Sequence, residues 1–322
     1  MVKRSSSSPI AVPHQLPHRH PPRPGSQPLI VPPPTSTRGA LAATTAFALW
    51  GALPVFWKTL HGVPVLEVTA HRIVWSLAML IVVLAISGSL HTALAAFKAP
   101  KTLAIHALAA AALATNWLLY ISAMMTDRIL EGALGYYLNP FLYILLGRLF
   151  LGEKHSRLQL LSIAVAIIGV ILQFPAISGV PWIAIGLAGS FATYGLIKKK
   201  STLGAFSGLA VETSILAPVA AAYCLFLTAT GRSAFGADFA TGGLLVATGL
   251  ATATPLLFFA RGAKSISLSL LGILQFIAPT GQFLIGWLAY HESLPPLRLA
   301  SFALIWTAVT LYILSLRPHH SR

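Results

Sequence analysis

Residues 140–172, PFLYILLGRLFLGEKHSRLQLLSIAVAIIGVIL, recur 139 positions later as residues 279–311, PTGQFLIGWLAYHESLPPLRLASFALIWTAVTL. The two stretches are identical at 11 of 33 positions without a gap, and Pro140 falls on Pro279, Gly147 on Gly286 and Glu153 on Glu292. Self-similarity at a fixed spacing marks a duplicated unit. Further back in each copy the match weakens, pairing Glu67 with Glu212 at an offset of 145 and Trp50-Gly51 with Tyr194-Gly195 at an offset of 144. Loops that changed length between the copies account for the drift.

The composition around the repeat identifies its solvent. Of 322 residues, 56% are hydrophobic and 9% charged, where a soluble domain carries about 45–50% and about 25%. Mean hydropathy is +0.77, so lipid is the main solvent. The net charge of +15 suggests a nucleic-acid partner, but the Lys and Arg residues fall between apolar runs rather than on one soluble face, and nucleic acid is set aside. Cys224 is the single cysteine, which excludes an intramolecular disulfide and a Cys-rich metal site. No Walker A, zinc-protease or Gly-x-Ser-x-Gly motif occurs, so no catalytic residue, metal or cofactor is expected. Nothing in the sequence sets an oligomeric state.

Residues 1–37 hold 10 of the 22 prolines, the run Ser5–Ser8, and His14, His18 and His20. This segment reads as a disordered tail, too Pro-broken for a signal-peptide core. From residue 40 the chain reads as ten apolar spans: 40–59, 65–87, 102–123, 130–151, 157–174, 181–198, 206–229, 241–260, 267–290 and 297–316. A helix needs about 20 residues to cross the hydrocarbon. Alternate loops then place 13 Lys and Arg residues on one side, among them Lys98, Lys154, Lys198 and Lys264, against Lys58, Arg128, Arg232 and Arg298 on the other. This asymmetry puts both termini in the cytoplasm, and nine or eleven spans would destroy it. Residues 38–174 and 179–317 become two five-helix repeats. An odd span number makes the second enter from the opposite face, and inverted repeats suit alternating access.

Polar residues at membrane depth mark candidate sites. Glu67 and His71 stand four apart on one helical face, and Arg72 can reach the same side, so the three read as a charge cluster facing a cavity. A proton is the candidate coupling ion there. The alternative is that Glu67 neutralises Arg72 and fixes packing. Glu212, the counterpart of Glu67, lacks an adjacent His or Arg, so an ion site favours the first copy. Asn116, Trp117, Tyr120, Glu131, Tyr136, Tyr137 and Asn139 form an aromatic and amide set suited to an amphipathic organic solute; alternatively they are interfacial-belt and interhelical residues. Gln275, Gln282, Tyr194 and Ser190 are the sparser second-copy set. Pro140 and Pro279 are candidates for hinges or unwound helix beside a central site. Glu153 and Glu292, each after an apolar run, read as structural or gating groups.

Several motifs together resemble the RarD family of EamA-type permeases: GALPVFWK (Gly51–Lys58), AHRIVWS (Ala70–Ser76), NWLLYIS (Asn116–Ser122), LGYYLNPF (Leu134–Phe141), SFATYGLIKK (Ser190–Lys199), VET (Val211–Thr213), LGILQFIAPT (Leu271–Thr280) and FALIW (Phe302–Trp306). The resemblance spans residues 40–316. It implies an all-α integral membrane protein of ten transmembrane helices, two inverted five-helix EamA-type repeats with both termini cytoplasmic, in a bacterial inner membrane. It also implies a permease of the drug/metabolite transporter superfamily, linked by name to chloramphenicol sensitivity. Glu67, His71, Arg72 and Trp75, with the stretches 116–120, 135–140 and 275–279, belong to its signature motifs. The sequence departs from the pattern at Ser122, Ala133 and the Pro-rich tail. The reading is a transporter, in contact with the bilayer and a small solute. A membrane enzyme on lipid-linked substrates and a non-transporting sensor remain the alternatives.

Overall fold

A computed structural model describes residues 36–125, 129–172, 181–290 and 296–316. The expected tail and Glu292 lie outside these residues, as does the side chain of Glu131. The described chain forms twelve helices: α1 (Thr37–Lys58), α2 (Val65–Ile86), α3 (Leu90–Phe97), α4 (Pro100–Met125), α5 (Ile129–Leu151), α6 (Arg157–Ile171), α7 (Trp182–Lys200), α8 (Ala205–Ala229), α9 (Phe239–Ser265), α10 (Leu268–Gln275), α11 (Ile277–Tyr290) and α12 (Pro296–Ser315). Several helix starts, those of α1, α6, α9 and α10, carry a side-chain acceptor for a free N–H group of the first turn. Ser36 accepts from Gly39, Asp238 from Thr241, and Ser156 with Gln159 forms a reciprocal capping box.

Among the described residues, seven helical stretches are long and apolar enough to cross a membrane: Thr37–Lys58, Val65–Ile86, Pro100–Tyr120, Leu134–Leu151, Ala205–Ala229, Phe239–Ser265 and Leu268–Ala289, the last joining α10 to α11. The apolar helices Arg157–Ile171 and Leu299–Ser315 are shorter, and α7 ends in Lys198, Lys199 and Lys200. Large apolar side chains point outward, Ile86 at 82% and Val219 at 77% exposure, as an exterior solvated by lipid requires.

Three details differ from the sequence expectation. The eight residues of α3 are helical after a left-handed turn at Gly88 (φ 66), in a segment read as a loop because it is too short to span. The expected span 267–290 is interrupted at Phe276, whose N–H turns back to the Ile273 carbonyl at 3.3 Å. Pro279 explains the break, because it has no N–H for the Gln275 carbonyl and its ring crowds that oxygen. Pro140 does not behave alike: α5 runs through it without interruption. Here α10 braces the helix, with Gly272 so close that an added Cβ would stand 2.8 Å from the Pro140 carbonyl oxygen.

The principal packing pairs are α5 with α7, α1 with α9 and α11, α2 with α8 and α9, α4 with α7 and α8, α10 with α5, and α6 with α12. Exchanging α1, α2, α4, α5 and α6 for α7, α8, α9, α10–α11 and α12 maps these pairs onto one another. The pair α5–α7 becomes α11–α1, α1–α9 becomes α7–α4, and α2–α9 becomes α8–α4. At the centre, Phe47 and Trp50 of α1, Phe191 and Tyr194 of α7 and Phe259 of α9 form an aromatic cluster with ring centroids 5.2–6.1 Å apart. Edge-to-face and offset contacts of this kind add to the burial of the rings.

The α2–α9 crossing depends on Gly249, where an added Cβ would lie 2.5 Å from the Trp75 carbonyl carbon. A backbone atom cannot swing aside, so Gly249→Val is expected to destabilise by about 1–3 kcal/mol through overpacking. Gly243→Ala, with open space around the added carbon, is expected to hold or raise stability. Thermal unfolding of the two variants in detergent checks this; equal midpoints would contradict the close crossing.

Candidate functional site

A cavity of about 520 Å³ extends from the α1–α2 loop at His61 and Val63 to the middle of the molecule. Its wall combines Phe47, Trp50 and Trp57 of α1, Thr69 and Arg72 of α2, Asn116, Trp117 and Tyr120 of α4, Tyr136 of α5 and Phe191 of α7. Thr252 of α9, Gln275 of α10, and Pro279 and Gln282 of α11 complete it. This volume and mixed lining suit a small organic molecule. Eight of the residues singled out in the sequence therefore meet here: Arg72, Asn116, Trp117, Tyr120, Tyr136, Gln275, Pro279 and Gln282.

The guanidinium of Arg72 lies 4.9 Å from the ring centre of Trp57 and 5.0 Å from that of Trp117, and its Nε donates to Thr252 Oγ1 at 2.9 Å. Asn116 anchors α4 to α7 by donating to the Leu187 carbonyl at 3.0 Å and to Ser190 Oγ at 3.3 Å, while Tyr136 donates to its Oδ1 at 3.5 Å. Tyr120 and Tyr136 pack edge to face at 5.9 Å. Gln275 is held from behind, its Oε1 accepting from Asn139 Nδ2 at 3.2 Å; Asn139 itself is fully buried and does not line the cavity.

Glu67 and His71 do not face the cavity with Arg72, which corrects the single-cluster reading. Neighbouring residues on a helix point about 100° apart, so the pair at positions 67 and 71 turns to the α8–α9 loop while Arg72 turns inward. Glu67 Oε1 accepts from Ser233 Oγ at 2.8 Å and from the Ala234 N–H at 2.7 Å. His71 stacks on Phe235 at 5.0 Å, and its Nδ1 accepts from Trp75 Nε1 at 3.2 Å. An accepting Nδ1 leaves the proton on Nε2, which lies 3.9 Å from Glu67 Oε1, beyond hydrogen-bond distance. Glu67 clamps a loop and does not pair with Arg72.

The second-copy carboxylate has the richer surroundings. Glu212 Oε1 meets Lys198 Nζ at 2.8 Å and His106 Nδ1 at 2.7 Å, its Oε2 accepts from Tyr194 OH at 3.1 Å, and His106 Nε2 lies 3.0 Å from Ser201 Oγ. Gly208 makes room: a Cβ there would stand 2.9 Å from the His106 ring. No sequence spacing signals this site, since its partners come from α4, α7 and α8, with His106 and Glu212 separated by 106 positions. Tyr194 also belongs to the aromatic cluster whose Phe47, Trp50 and Phe191 line the cavity, so that cluster separates the cavity from the buried charges.

At the end away from the α1–α2 loop, three loops are tied together. The Glu153 carboxylate accepts from the Leu268 N–H at 2.6 Å and the Ser269 N–H at 3.0 Å, capping α10 where the helix dipole favours a negative charge. Lys264 Nζ donates to the Ser201 carbonyl at 2.8 Å and to the Leu203 carbonyl, and Lys199 Nζ donates to the Ile266 carbonyl. His155, 2.8 Å from Ser269 Oγ, has its pKa lowered by burial, with Glu153 opposing the shift.

A membrane-embedded, all-helical chain around a solute-sized cavity is the build of a membrane transporter. The EamA-like transporter family matches residues 37–174. Protein RarD of Streptomyces exfoliatus is 40% identical over 274 residues, covering 85% of this chain and 87% of that protein. Chloramphenicol-sensitive protein RarD of Pseudomonas aeruginosa is 31% identical over 280 residues, covering 86% of this chain and 93% of its own. A protein of known crystal structure superposes with a TM-score of 0.68 at 20% identity, over 87% of this chain and 99% of that one, which shows the fold. The chain belongs to the RarD family of EamA-type permeases and is a bacterial membrane transporter.

Breaking the Glu212 site by Glu212→Leu leaves Lys198 buried without its carboxylate, at an expected cost of about 3–5 kcal/mol. The double variant Glu212→Leu with Lys198→Met removes both charges and is expected to recover at least half of the loss in thermal unfolding. Equal destabilisation of single and double variants would show that the two charges are not coupled.

Proposed function

We propose that the chain is a secondary transporter of a small organic metabolite or drug-like solute, working by alternating access between two inverted five-helix repeats. The cavity carries this reading: it is reached from the α1–α2 loop and stops at the aromatic cluster, beyond which the Glu153, Lys199 and Lys264 contacts tie the other end. A solute held at Arg72, Asn116 and Gln275 reaches the second side when those ties open and the first end closes. The two-fold exchange of helix pairs supports equivalent motions at the two ends. The Lys and Arg residues of the tied end favour the cytoplasm for it, and with it for both termini, across ten spans of the inner membrane.

The coupling ion in this scheme is a proton at Glu67. Protonation takes away the negative charge that accepts from Ser233 and Ala234, so the α8–α9 loop loosens as the proton binds. Purified protein in liposomes is expected to accumulate a member of a panel of amino acids, amines, organic acids and chloramphenicol only under an imposed pH gradient. Glu67→Gln is expected to abolish accumulation while leaving exchange of that solute intact. Gradient-driven accumulation by Glu67→Gln equal to wild type makes the clamp purely structural, and the absence of saturable exchange of any member counts against transport of these classes.

A further inference from the structure

We infer that the transported solute is a monoanion with an apolar or aromatic body, its carboxylate held by Arg72 between Trp57 and Trp117. This rests on the transporter reading and adds the chemical class of its substrate. Arg72 is the one Lys, Arg, Asp or Glu side chain among the cavity-lining residues. Its hydrogen bond to Thr252 uses a single donor of the five that a guanidinium carries. Among the described residues no carboxylate stands within 4.0 Å of it. Glu67 is engaged by Ser233 and Ala234, Glu153 by the α10 N-terminus, and Glu212 by Lys198 and His106. A permanent cation at membrane depth without a counter-ion is costly, and such residues mark substrate paths.

The surroundings define the missing partner. Two indole rings near the guanidinium reduce its hydration without neutralising it, since a ring quadrupole is a weak substitute for an anion. A carboxylate matches the remaining N–H fork with two parallel charge-assisted hydrogen bonds. One positive charge balances one negative charge, so a phosphate dianion is left half compensated and a cation is repelled. The remaining wall, with Phe47, Trp50 and Phe191 on one side and the amides of Asn116, Gln275 and Gln282 on the other, accepts an apolar body carrying one or two polar substituents.

The test uses the full chain in lipid nanodiscs and isothermal titration with matched probes of one shape: phenylacetate, phenylacetamide and phenylethylamine, with methyl phosphate as a further anion. The carboxylate is expected to bind about tenfold or more tightly than its amide, the range that a hydrogen bond to a charged group supplies. The amine should be weakest. Arg72→Gln should erase the preference and Arg72→Lys should keep part of it; the comparison within wild type needs no variant to fold. Equal or better binding of the amide or amine, no binding of any probe, or a carboxylate preference that survives Arg72→Gln overturns the proposal. Exchange in liposomes separates it from the transporter reading. A neutral or cationic solute exchanged equally by wild type and Arg72→Gln sinks the anion site and leaves transport standing. Carboxylate binding without any transmembrane movement upholds the site and counts against transport.

Discussion

An ionised group buried in this apolar bundle has to find its partners inside the protein, because lipid offers none. Three carboxylates take partners in three ways, Glu67 through Oε1 alone, its buried Oε2 having no hydrogen-bond partner among the described residues. Glu67 takes a hydroxyl and a backbone N–H from the α8–α9 loop, Glu153 takes two backbone N–H groups from the start of α10, and Glu212 takes an ammonium, an imidazole and a phenol from α4 and α7. Each joins elements distant in sequence, so each doubles as a fastener of the fold. Glu67 fastens one end of the bundle and Glu153 the other.

The cavity lies between these fasteners and has the opposite character. Its polar groups belong to side chains fixed from behind: Asn116 through Leu187, Gln275 through Asn139, Arg72 through Thr252. Groups fixed in this way lose little freedom when a solute arrives. The break at Phe276 sits beside Gln275 and the Pro140–Gly272 contact beside Asn139, so the same prolines that punctuate the repeat lie next to the cavity floor. The aromatic cluster then spans the distance from that floor to Glu212.

Helix positions and the membrane environment were legible in the sequence because hydrophobic runs of about 20 residues are a direct physical requirement of the bilayer. The cavity lining was largely legible too, since amide and aromatic groups such as Asn116 and Tyr136 are costly against lipid. Direction was harder. Glu67, His71 and Arg72 are close in sequence, but a step of one residue about the helix separates them into a loop clamp and a cavity cation. The Glu212 site is hidden from the sequence because no His, Lys or Arg stands beside Glu212 on its own helix, and His106 and Lys198 come from other helices. Pro140 and Pro279 are equivalent in the repeat, yet only the second interrupts its helix, a difference set by α10 packing against the first.

Alternating access has a direct signature in the reactivity of the cavity from its two sides. Ala251, on α9 beside Thr252, lines the cavity, and Cys224 is the single native thiol. In a Cys224→Ser background, Ala251→Cys should react with a membrane-impermeant maleimide both in right-side-out and in inside-out vesicles, as the proposed alternation of the cavity between the two faces requires. Labelling from one face only, at every pH and solute condition tried, would contradict a cavity that alternates.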